Sequence, residues 1–126
     1  MKEFMFFIRK KSNSKETLSA DKFQLFLKAC EVYIENLKQQ GKLVSAKPID
    51  WSGKIISGKS DEWKETSYSE QGEVIGGYYH ILAKDIDEAT KIAKVNPEFT
   101  FNDNTRIEVR PVKMKEEQTG FVYPSE

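Results

Sequence analysis

The chain has 126 residues, room for one domain and too few for two. Basic and acidic residues balance at 20 each, so net charge exerts no pull toward nucleic acid or an anionic membrane surface. No apolar run approaches the roughly 20 residues of a membrane span, and the single cysteine, Cys30, excludes an internal disulfide and suits a reducing compartment. With no signal-peptide pattern in MKEFMFFIRKK, the expected location is cytoplasmic.

Lys2 to Arg9 reads as a strand, with Phe4, Phe6 and Ile8 on one face and Met5 and Phe7 on the other. Apolar side chains on both faces predict a central strand covered on both sides. Residues 10 to 18 are polar and loop-like. Ser19 is the expected N-cap of a long helix to about Gln40, with Phe23, Phe26, Leu27, Cys30, Ile34 and Leu37 on one stripe and Gly41 as the stop. Lys42 to Ile49 follows as a short strand, placed at an edge by Pro48.

The segment GKIISGKS, Gly53 to Ser60, fits the phosphate-loop pattern G-x-x-x-x-G-K-[ST] letter for letter. Its context does not fit. A phosphate loop leaves a buried strand and enters a helix whose N-terminus faces the phosphate. Here Asp50-Trp51-Ser52 precedes the first glycine, and Asp61-Glu62 puts two carboxylates where phosphate would sit. The expectation is a strand between turn glycines, with Lys54 to Ser57 and Trp63 to Tyr68 forming a hairpin or two irregular strands.

Gly77 to Ala83 is the next strong strand. Asp85 and Glu88 form a capping-box-like pair for a second helix, whose stripe is Ile86, Ala89, Ile92 and Ala93 and which Asn96-Pro97 ends. TRIEVRPV, Thr105 to Val112, alternates Ile107 and Val109 against Arg106, Glu108 and Arg110. The order β-α-β, hairpin, β-α-β predicts an α+β fold of the ferredoxin-like split βαβ kind with an inserted hairpin. The domain is expected over residues 1–113, with a polar C-terminal tail at 114–126 in which Phe121 and Tyr123 are embedded.

From Trp63 onward the chain resembles the YCII-related, DGPF-type family. The residues that carry this are WKET (Trp63 to Thr66), VIGGYY (Val74 to Tyr79), AKDIDEA (Ala83 to Ala89), Asn96-Pro97 and IEVRPV (Ile107 to Val112), with the apolar first strand and long first helix in agreement. The resemblance spans about residues 2 to 113 and implies a ferredoxin-like domain that pairs into a dimeric α/β barrel. The signature D-G-P-F falls on Ser60-Asp61-Glu62-Trp63, where only the aromatic persists. Some members carry a His–Asp pair with the histidine near the first helix. The single histidine here, His80, lies on another element, so that pair does not transfer.

Helices on one face of such a sheet leave Met5, Phe7, Tyr78 and Leu82 on the other. Covering them with a second copy predicts a homodimer. By alternation His80 shares that face, and Arg9, Arg106, Glu108 and Arg110 reach it from neighbouring strands. The expected activity is binding of a small polar or anionic molecule in a cleft there. Arginine suits an anion by its forked hydrogen bonding, and histidine is the side chain whose charge changes nearest neutral pH. The ligand-binding candidates are Arg9, Tyr78, His80, Glu108 and Arg110, with Trp63 and Glu65 as possible cleft walls. The plainer reading makes His80 a satisfied sheet histidine, the arginines solvated or paired with Glu108, and Trp63 a packing residue of the hairpin.

Two other function classes stay open: a cofactor-free isomerase or lyase with His80 as general base, and a protein-interaction accessory module with a transcription-related role. No cofactor is expected. One histidine and one cysteine do not make a Cys/His metal site, Asn102-Asp103-Asn104 reads as a turn, and Cys30 reads as a core thiol.

Overall fold

The structure, a computed structural model, describes residues 1–11, 18–68 and 72–125. Nine elements follow in order: β1 (Lys2–Lys11), α1 (Ala20–Gln39), β2 (Leu43–Pro48), β3 (Lys54–Lys59), β4 (Glu62–Ser67), β5 (Glu73–Ala83), α2 (Ile86–Lys94), α3 (Pro97–Phe101) and β6 (Arg106–Pro111). Four strands form one antiparallel sheet in the order β2-β5-β1-β6, and β3 and β4 form a separate two-stranded hairpin. This is a mixed α+β architecture, compatible with a ferredoxin-like fold. Most of the loop expected at residues 10 to 18 lies outside the described residues, and β1 itself runs on to Lys11.

The two segments that are apolar on both faces, β1 and β5, take the two central places, and β2 with its Pro48 takes an edge. Phe4, Phe6 and Ile8 of β1 and Tyr79, Ile81 and Ala83 of β5 are buried under the helices, together with Tyr33 and Leu37 of α1 and Ala89 and Ala93 of α2. Two alanines one turn apart let the α2 backbone approach the sheet closely. Tyr33, absent from the aliphatic stripe of the sequence, buries its ring edge-on to Tyr79 and donates its hydroxyl to the Ile92 carbonyl at 2.7 Å.

Helix ends follow the residues predicted to make them. Ser19 Oγ accepts from the Lys22 backbone N–H at 3.3 Å, and Gly41 takes the left-handed conformation after α1. Asp85 Oδ1 accepts from Glu88 N at 2.9 Å, while Glu88 Oε1 accepts from Lys84 N. Asn96-Pro97 ends α2, as expected, and also opens α3: Asn96 Oδ1 accepts from Glu98 N at 2.9 Å, with Pro97 in the first turn.

The pairing of β1 with β5 slips once. Ile8 faces Gly77 but Arg9 faces Ile75, so Gly76 is a bulge residue. A side chain at Gly77 would press on the Lys47 carbonyl at 3.2 Å and Pro48 Cα at 3.3 Å, which is why the edge strand can lie so close there.

Candidate functional site

The face of the sheet turned away from the helices is built by simple alternation. Glu3, Met5, Phe7 and Arg9 project from β1; Glu73, Ile75, Tyr78, His80 and Leu82 from β5; Arg106, Glu108 and Arg110 from β6. The apolar members are half-buried, and the charged ones form two sets. His80 Nε2 and Glu3 Oε1 lie 2.6 Å apart. Arg9 donates through Nε to Glu73 and through Nη1 to Glu108 Oε2 at 2.8 Å. Arg106 clamps the same Glu73 carboxylate through Nε at 3.0 Å and Nη2 at 2.6 Å. Arg106 and then Arg9 hold Glu73 below the usual carboxylate range, and Glu108 and Glu73 raise Arg9 in return. Arg110 lies 3.8 Å from Glu108, and Ser45 Oγ donates to the Tyr78 hydroxyl at 3.5 Å, a long contact.

Five of the seven predicted site residues, Arg9, Tyr78, His80, Glu108 and Arg110, therefore share one face. Trp63 and Glu65 stand apart on β4 of the hairpin, where Glu65 pairs with Lys54 at 3.0 Å. GKIISGKS forms β3 and the turn into β4; a strand, not a helix, follows it, so no helix N-terminus faces the loop.

A cleft of about 300 Å³ opens on the other flank, between α1 and the β2–β5 edge. Its origin is local. Gly77 occupies a helix-facing position of β5 between Val74 and Tyr79, and brings no side chain to it. Ala46 and Pro48 of β2 are too small to fill the gap, so Leu27, Cys30 and Ile34 of α1 wall a void instead of closing on the sheet. Glu98 stands at this cleft, joined to Lys10 Nζ at 3.0 Å and accepting from Asn102 Nδ2 at 2.9 Å. Burial, with Glu98 adding and Lys10 opposing, pushes the Cys30 thiol up to about 11. It is a protonated thiol at neutral pH rather than a nucleophilic thiolate.

Burial drives the phenols of Tyr79, which lines the cleft, and of Tyr33, packed edge-on to it, well above their ordinary value, and the Asn96 amide is buried. The Nδ2 of Asn96 has no hydrogen-bond partner of normal geometry among the described residues. Among the same residues no group of three His, Cys, Asp or Glu could hold a metal ion, and no helix is long and apolar enough to cross a membrane.

Sequence reasoning missed Glu3 and Glu73 as partners of the predicted residues. Period-two spacing from Met5 and Phe7 would have placed Glu3 beside His80. Glu73 was hidden by the bulge, which changes the parity of β5. The chain matches no protein-family model and no curated protein.

Proposed function

We propose that this chain is a cytoplasmic small-molecule-binding domain of the YCII-related kind, a ferredoxin-like split βαβ unit that pairs through its open sheet face into a dimeric α/β barrel. The observation that carries the binding role is the cleft under α1. Its volume falls at the lower end of small-ligand sites, and its lining is mostly apolar with a few charged groups at the edge. The ligand class it fits is a compact, largely apolar molecule with one polar end. The open face is a poorer place for an anion, because the guanidinium groups of Arg9 and Arg106 already bond carboxylates and a ligand would have to displace them.

The test uses a small aromatic probe, 8-anilinonaphthalene-1-sulfonate, with Cys30 as a built-in plug. The native protein binds about one probe per chain, and alkylating Cys30 with N-ethylmaleimide abolishes binding. Probe binding unchanged by alkylation overturns the cleft assignment.

A second reading is favoured by the His80–Glu3 contact. A carboxylate bonded to one ring nitrogen fixes the tautomer and leaves the other nitrogen as an acceptor, the arrangement of a general base in a cofactor-free isomerase or lyase. Its discriminating result is turnover of a carbonyl or enol substrate that disappears in both His80→Gln and Glu3→Gln.

A further inference from the structure

Among the described residues, the β3–β4 hairpin is exposed along most of its length. Every residue of β3 is exposed, and β4 is exposed from Glu62 to Glu65. At its base Ile75 N donates to the Tyr68 hydroxyl at 2.7 Å, and Tyr68 N closes the two hairpin ends together on the Gly53 carbonyl at 3.0 Å. A two-stranded hairpin with no surface to pack on is marginal in water. This one is also not polar on both faces. Ile56 and Trp63 are diagonal neighbours on one face, with Gly58 opposite Trp63, and they stay 64% and 62% exposed.

Area points to the occupant. Two strands of six residues and two of ten and eleven, at about 3.3 Å per residue and about 4.8 Å spacing, give the open sheet face a footprint of roughly 500 Å². A stable association needs on the order of 800 Å² from each partner. The sheet face alone falls short of that, and the hairpin carries apolar area of the kind needed for the rest.

We propose that the β3–β4 hairpin is an arm that lays Ile56 and Trp63 on a second copy of this chain, completing the interface the open sheet faces begin. This rests on the dimer of the preceding reading. Two arms related by a two-fold axis bury the same patch twice, so each side chain removed counts twice in the association.

The experiment combines sedimentation equilibrium with the emission of Trp63 in a Trp51→Phe background. The native chain sediments as a dimer, and the double variant Ile56→Glu/Trp63→Glu dissociates at least tenfold more readily with an unchanged far-ultraviolet spectrum. In the Trp51→Phe protein Trp63 emits to the blue and resists acrylamide, and dilution below the dissociation constant reverses both. That second measurement needs no disruptive variant. A dimer whose constant the double variant leaves unchanged, with Trp63 freely quenched, overturns the arm and leaves the sheet-face dimer standing. A native chain that is monomeric at all concentrations overturns both. Trp63 shielded in a monomer shows the arm docking on its own chain and overturns this assignment.

Discussion

Glu3 and His80 are diagonal neighbours on the β1–β5 ladder, carboxylate oxygen to Nε2 at 2.6 Å, on the sheet face that the helices do not cover. That contact assigns the proton of the neutral ring to Nε2. The expected result in long-range ¹H–¹⁵N spectra is the Nε2–H tautomer in the native protein and a mixed population in Glu3→Ala. A native ring with its proton on Nδ1 contradicts the assignment.

Glu73 is shared by two guanidinium groups, so Glu73→Gln leaves Arg9 and Arg106, direct register neighbours, facing each other without the carboxylate between them. The variant unfolds at lower urea than the native protein at pH 7. The carboxyl is depressed in the folded state, so its contribution is complete above the unfolded value of about 4.3 and fades as pH falls through the lower folded value. The native-to-variant gap in urea midpoint is therefore flat from pH 7 to about 5 and closes in acid. A gap that widens in acid refutes the pairing.

Cys30 has a raised thiol, so its alkylation by iodoacetamide rises toward pH 11 instead of levelling off near the ordinary value of about 8.5. The sign for stability follows. Folding holds the proton more tightly than the unfolded chain, so this stabilisation is intact below about 8.5 and is lost as pH climbs toward 11. Cys30→Ala removes that alkaline loss, which a pH series of thermal midpoints reads directly.

Gly58 sits at φ 112° with the Glu62 carbonyl where a side chain would go; an added Cβ would stand 2.1 Å from that oxygen. Gly58→Ala breaks the hairpin at a local cost of about 1–3 kcal/mol. The four-stranded sheet does not depend on it, so amide exchange accelerates over Lys54 to Ser67 while the protection of β1 and β5 is kept. Uniform loss of protection would show the hairpin to be part of the main cooperative unit.

Phe6 is fully buried and Leu27 is 44% exposed, although both carry apolar side chains on predicted inward stripes. Phe6→Ala costs about 3–5 kcal/mol in urea unfolding, whereas Leu27→Ala at the cleft wall costs well under half of that.

The difference between those two residues marks where sequence reading succeeds. Local chemistry made the helix caps at Ser19 and Asp85, the edge position of β2 and the alternation of β6 legible, because each depends on neighbours within a few positions. The short α3 was missed because Asn96-Pro97 serves as a stop and a start at once, and five residues are too few to show a period. The sequence reading starts β5 at Gly77; the structure starts it at Glu73, with Gly76 as a bulge inside the longer strand. On the predicted site, shared-face geometry and the pairing of arginine with Glu108 are legible from parity alone, while the sharing of Glu73 by Arg9 and Arg106 is not, since it depends on the bulge in β5. The cleft was invisible for a different reason. It arises where a glycine, an alanine and a proline from two strands meet one helix, and an absent side chain leaves no pattern to read.

Gly76 has a reach well beyond its own position. Were it an ordinary ladder residue instead of a bulge, counting back from Gly77 would turn Val74, now sealed at 1% exposure, out into solvent, and would swing Glu73 from between Arg9 and Arg106 into the greasy layer beneath the helices. One residue with no side chain thus sets the facing of everything upstream of it on that strand, sorting a hydrophobe and an acid to the sides on which each can live.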